Sequence, residues 1–196
     1  SAGAELARIN ADANNNYAFG KWSLRYLAGG TGNIGVGLSA NDALTTGSNN
    51  IALGTLALQT NTTGSSNIAI GSGALQVATN SNNIAIGQSA LRNATGANQS
   101  VAVGVWSQEL ITTGGNNASL GYYSLHNTTT GSYNAAFGTQ ALNANTTGGY
   151  NTALGFRAGH QDVNDTFATG AALQNSTAVG AYAQVQANNS IVLGSV

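Results

Sequence analysis

Apolar and polar positions along this 196-residue chain alternate in short bursts, and the bursts recur at a nearly fixed interval. The clearest copies are Asn50-Ile51-Ala52-Leu53-Gly54 and Asn67-Ile68-Ala69-Ile70-Gly71. With the glycine as register mark, the motif returns at Gly20, Gly37, Gly54, Gly71, Gly87, Gly104, Gly121, Gly138, Gly155, Gly180 and Gly194, in steps of 17, 17, 17, 16, 17, 17, 17, 17, 25 and 14 residues. A short period held over nearly a whole chain is the signature of a solenoid, in which each repeat buries its apolar side against its neighbours. The residue before the glycine is apolar in every copy: Phe19, Val36, Leu53, Ile70, Ile86, Val103, Leu120, Phe137, Leu154, Val179 and Leu193. The residue before that is mostly small, as at Gly35, Ala52, Ala69, Ala85 and Ser119. In a strand these two columns face opposite ways, so the pattern predicts a strand covered on both faces, by large side chains on one and through small ones on the other. One step further back stand Ile34, Ile51, Ile68, Ile84 and Val101, giving way to Ala118, Ala135, Thr152 and Thr177.

Four residues before the glycine the chain carries Asn16, Asn33, Asn50, Asn67, Asn83, Asn117, Asn134 and Asn151, with Ser100, Ser176 and Ser190 in the other copies. Stacked at an inter-strand spacing of about 4.8 Å, such amides are placed to hydrogen-bond from rung to rung. After the glycine, Thr55-Leu56-Ala57-Leu58, Ser72-Gly73-Ala74-Leu75 and Gln88-Ser89-Ala90-Leu91 read as a second strand with its small residue inward. Polar turns such as Thr62-Thr63-Gly64-Ser65 then close the rung, with glycine where the backbone needs positive φ.

The chain therefore reads as one elongated all-β domain, a parallel β-roll or β-solenoid of about eleven short coils, with a body on the order of 50 Å long at the spacing above. Residues 1–16 form a lead-in or N-terminal cap, either a short helix or an extended segment, and residues 17–196 form the repeat domain with an inserted loop at 159–173. Tyr17, Phe19, Trp22, Leu24, Tyr26 and Leu27 suit a terminal capping repeat. Gly30-Thr31-Gly32-Asn33-Ile34-Gly35 matches a dinucleotide-binding fingerprint by letter, but no βαβ unit accompanies it and the repeat register accounts for it. Position-specific apolar columns also set the chain apart from a disordered low-complexity segment of the same composition.

Composition narrows the function. Five basic and six acidic residues give a net charge of −1, too few cations for a phosphate-binding surface, so nucleic acid is excluded as a partner. The absence of cysteine removes disulfides, thiolate metal sites and a thiol nucleophile. No apolar run is long enough to span a membrane as a helix, so no direct membrane insertion by this chain is expected. A chain without an initiator Met reads as a fragment or processed product whose targeting or anchoring parts lie outside it. The acids and the two histidines read as scattered, with no constellation tied to the register, so no enzyme, no cofactor and no metal site is expected. His160, Asp162 and Asp165 in the inserted loop give only a weak metal or acid/base signal.

The repeated Asn-Ile-Ala-Ile-Gly-x-x-Ala-Leu pattern, as in residues 67–75 and 83–91, resembles the head repeats of trimeric autotransporter adhesins of the YadA type. It is also similar to repeats of the same class in bacteriophage tail fibres. The resemblance covers residues 16–196 and implies a left-handed parallel β-roll with two short strands per coil and three chains around a common axis. The 17-residue step with its Thr-Thr-Gly turn is longer than the coil of those adhesins, which leaves the bacterial and phage readings both open. The resemblance carries no ligand-binding residue onto this chain.

The leading expectation is a non-enzymatic adhesive head on a bacterial cell surface, held at the outer membrane by an anchor outside this chain. It would bind a host extracellular matrix protein, a glycan or a cell-surface receptor, with avidity from many repeated weak contacts. The alternative is a tail-fibre receptor-binding module on a virion, and a third reading is an ice-binding solenoid with regular Thr and Asn rows. Tyr122, Tyr123, Tyr133 and Tyr150 with Phe156, Arg157 and His160 form the expected outward ligand-binding band, since aromatic faces supply apolar contact at low entropy loss. Leu53, Ile70, Ile86, Val103, Leu120, Phe137 and Leu154 are the expected core of a homotrimer: a coil filled by alanine leaves the large column no place within its own chain. The opposite assignment, with the large residues inside and alanine outside, would suit a wider monomeric solenoid.

Overall fold

The computed structural model describes residues 10–11, 14–159 and 172–194. Twelve short strands follow one another along a single sheet in chain order. They are β1 (Asn10–Ala11), β2 (Tyr17–Phe19), β3 (Ile34–Val36), β4 (Ile51–Leu53), β5 (Ile68–Ile70) and β6 (Ile84–Ile86). The ladder continues as β7 (Val101–Val103), β8 (Ala118–Leu120), β9 (Ala135–Phe137), β10 (Thr152–Leu154), β11 (Thr177–Val179) and β12 (Ile191–Leu193). From β2 onward every pairing is parallel, while β1 lies antiparallel on β2. The chain is thus an all-β solenoid of about ten turns. The lead-in is extended at Asn10–Ala11, and the rest of its predicted span before Asn14 lies outside the described residues.

Strand register is set by the repeat, Ala52 opposite Ala69 and Leu53 opposite Ile70. The short 16-residue step keeps it, with Ile68 opposite Ile84, because the missing residue comes out of the turn. There Asn80 replaces the Thr-Gly pair, and its carbonyl accepts from Asn67 Nδ2 at 2.7 Å where Gly64 O serves Asn50 at 2.8 Å. The 25-residue step keeps it too, with Thr152 opposite Thr177.

The inside of the coil is filled by small residues. Ala52, Ala69, Ala85, Ala102, Ala136 and Ala153 on the strands are fully buried, and so are Ala57, Ala74, Ala90 and Ala141 after the glycine. Beside them Leu58, Leu75, Leu91 and Leu125 complete each layer. The large strand columns face outward instead: Ile70, Ile86 and Phe137 are more than a third exposed, and Leu120 and Leu154 are 51% exposed. Within the chain, alanine inside and the large residues outside is the assignment that holds. The strand face predicted to be covered by large side chains is covered by nothing in its own chain.

The expected second strand does not form; residues 55–60 and their equivalents run as consecutive turns. From Gly20 to Gly155 the second and fourth residues after each register glycine are left-handed, as Leu56 (φ 60°) and Leu58 (φ 52°), or Tyr123 (φ 57°) and Leu125 (φ 50°). A strand turns successive side chains to opposite faces, yet Ala57 and Leu58 are adjacent and both fully buried. Alternating the hand of the backbone resolves this. Each left-handed non-glycine residue costs roughly 1–2 kcal/mol. Burying the leucine returns about 1.5–3 kcal/mol, and the amides still bond between rungs, Leu56 N to Leu38 O at 2.9 Å and Leu58 N to Ala74 O at 3.0 Å.

Two features lock one rung to the next. At Gly54 (φ +140°) an added Cβ would stand 2.6 Å from the carbonyl oxygen of Gly71 in the next rung, so both the conformation and the spacing demand glycine. The asparagine column forms the buried ladder its spacing predicts. Asn50 donates from its backbone N at 2.9 Å and from Nδ2 at 3.1 Å to Asn33 Oδ1, and Nδ2 also donates to Gly64 O at 2.8 Å. Ser100 continues the ladder with a single hydroxyl, to which Asn117 N donates at 3.3 Å.

Candidate functional site

The outward strand columns, three residues and one residue before each glycine, form an apolar face that runs the length of the sheet from Tyr17 and Phe19 to Ile191 and Leu193. The seven residues expected in a trimer core, Leu53, Ile70, Ile86, Val103, Leu120, Phe137 and Leu154, all lie on this face, half-buried or exposed. Soluble proteins seldom leave so long an apolar surface open.

The predicted aromatic band resolves into separate groups on different columns. Tyr122 and Tyr123 meet each other at 4.4 Å between ring centroids, and Trp106 from the preceding rung approaches them at 5.6 and 5.0 Å. Tyr133 and Tyr150 stack at 4.9 Å with ring planes 7° apart, on the column just ahead of the asparagine ladder. That column lies at the opposite end of the strand from Tyr122. Phe156 meets Tyr182 edge-on at 5.2 Å, with the Arg157 guanidinium 5.8 Å from the Phe156 ring centre and its Nε donating to Gln140 Oε1 at 2.6 Å. His160, Asp162 and Asp165 lie outside the described residues.

Five of the charged or titratable side chains are not scattered as expected but share a place in the register. Arg25, Asp42, Arg92, Glu109 and His126 all stand five residues after a glycine, in one outward column that also holds Gln59, Gln76 and Asn143. Arg25 grips Asp42 through two bonds of 2.8 Å. Further along, Gln76 donates to Gln59 at 2.9 Å and receives Arg92 Nε at 3.0 Å. Glu109 then lies 3.7 Å from Arg92 and 3.0 Å from His126 Nε2, and His126 Nδ1 sits 3.0 Å from Asn127 Oδ1. Aligning the copies on the fifth residue after the glycine is the signal that reveals this row.

The row meets the first aromatic group, because the Tyr123 ring lies 4.5 Å from His126. Desolvation by its neighbours, then the Tyr122 phenol and the Glu109 carboxylate, hold the Tyr123 hydroxyl above the usual tyrosine range. Among the described residues no group of three or more His, Cys, Asp or Glu is placed to hold a metal ion, and no helix is long and apolar enough to cross a membrane. No protein-family model, curated protein or solved structure matches the chain, which leaves its own geometry to carry the functional reading.

Proposed function

We propose that this chain is the adhesive head of a trimeric fibrous surface protein, a non-enzymatic module that presents rows of repeated contacts to a host matrix protein, glycan or cell surface. The observation that carries it is the outward apolar face of the strands. Completing the burial of one Ile, Leu or Phe contributes up to about 1.5–3 kcal/mol, and the column repeats at every rung, so association of copies along this face is strongly favoured. Three copies around a common axis follow from the resemblance to the YadA-type repeats. A bacterial surface, with the anchor supplied outside this chain, is the matching location. The acids support a structural role, since Asp42 and Glu109 are both engaged by neighbouring cations along the column.

Sedimentation equilibrium tests the assembly: a mass three times that of the 19.5 kDa chain is expected. Ile70→Asp with Ile86→Asp, both on the outward face, should reduce it to the single-chain mass. A wild-type chain that stays folded, soluble and monomeric at micromolar concentration overturns the trimer. Adhesion of protein-coated beads to immobilised matrix proteins and glycans tests the binding role.

A further inference from the structure

We propose that Trp106, Tyr122 and Tyr123, together with Glu109, His126 and Asn127, form a binding site for a neutral oligosaccharide. The site gives the adhesive reading a ligand class and rests on that reading. A sugar ring offers an apolar C–H face and an edge of hydroxyls, and a receptor for it needs aromatic rings joined to a row of fixed acceptors and donors. Here the two are joined: the three rings lie within 4.4–5.6 Å of one another, and Tyr123 passes directly to His126 at 4.5 Å. Tyr122 is 44% exposed, so the platform is open to solvent.

The polar edge is held rigid. Glu109 Oε2 is fixed at 3.0 Å from His126 Nε2, His126 Nδ1 at 3.0 Å from Asn127 Oδ1, and Asn127 Nδ2 donates to Asn143 Oδ1 at 3.3 Å. A preorganised row loses little entropy when a ligand joins it.

The rings are not required by the fold. Trp106 and Tyr123 occupy the left-handed column two residues after the glycine, at φ 56° and 57°, where Gly73 and Ser89 build the same turn. Glu109 disfavours acidic sugars, and Arg92 lies 3.7 Å away to balance its charge, which points to an uncharged saccharide.

The chain has two tryptophans, so Trp22→Phe leaves Trp106 as the sole reporter of emission. That variant is titrated with chitotriose, maltotriose, N-acetyllactosamine and sialyllactose, with calorimetric titration of the unsubstituted chain as the parallel readout. A saturable change with at least one neutral saccharide in the millimolar range or tighter is expected. In Tyr123→Ala and Glu109→Gln it should weaken by roughly tenfold or more, the loss of a charge-assisted hydrogen bond in the second case, with circular dichroism showing both variants folded. No response to any neutral saccharide, response to sialyllactose alone, or undiminished binding by folded Glu109→Gln overturns the site. Beads that adhere equally with and without Glu109→Gln, the saccharide response being absent, remove the site and leave adhesion standing. Saccharide binding without adhesion of the wild type removes the adhesive reading instead.

Discussion

Residues 34–103 and residues 104–180 are built on the same rung and differ in what fills and clothes it. In the first region the interior is alanine and leucine layered from Ala40 to Leu91, interrupted by the buried Asn41, and the outward column is Ile34, Ile51, Ile68, Ile84 and Val101. The second region begins with a polar knot inside the coil. Ser107 Oγ lies 2.5 Å from Ser119 Oγ and 3.0 Å from Ser124 Oγ, and Gln108 Nε2 donates to Ser119 Oγ at 2.7 Å and to Val101 O at 2.9 Å. The knot lies where one buried apolar cluster gives way to the next, which runs from Leu125 to Val185. Outside, the same region swaps isoleucine for Ala118, Ala135, Thr152 and Thr177 and gathers the aromatic rings. The backbone ladder is identical through both. What the two regions share is therefore the glycine column and the asparagine ladder with its serine stand-ins, and the side chains around them are free to diverge, isoleucine-rich in one region and aromatic in the other.

That division can be broken most severely at the glycines. Gly71→Ala and Gly138→Ala each place a Cβ against the backbone of the next rung, at 2.6 and 2.3 Å, with left-handed strain added. Each should lower stability by about 3 kcal/mol or more in thermal or urea melts. Tolerance of either one would mean that its region does not depend on the ladder.

Removing core leucine comes next. Leu58→Ala and Leu125→Ala should each cost about 2–5 kcal/mol. Calorimetry sharpens the comparison here: if the polar knot decouples the two clusters, each substitution should broaden the transition and split off its own region.

Asn41 stands in the leucine column, fully buried, with neither Nδ2 nor Oδ1 hydrogen-bonded. Asn41→Leu should raise stability by about 1–3 kcal/mol, the desolvation loss of unpaired buried groups. The left-handed φ of 53° at this position matches Leu58 and Leu75, so the backbone accepts the change. The smallest effect is expected from Ser100→Asn, which restores the ladder where one hydroxyl stands in for an amide. A gain of about 1 kcal/mol in the melt is expected, and a loss would show that the ladder tolerates no amide between Asn83 and Asn117.

Much of this was legible in the chain. The glycine register gave the strands one by one, because a single period aligns apolar, small and amide columns at once. The asparagine ladder followed from the identity of one column. The inward leucine did not follow, since Ala57 and Leu58 in succession look like a strand with one face lost, and only backbone hand reversal explains them. The ion row around Glu109 escaped because its members differ in type, Arg, Asp, Gln, Glu and His, and share only a place in the register. The division of the aromatic residues into groups was not legible, because it depends on which end of the strand each column occupies.

The turn that lost one residue near Asn80 and the step that gained eight after Gly155 leave the strands in phase. In hereditary terms, codons gained or lost at the turns change the outline of the solenoid while the strands beneath keep their register.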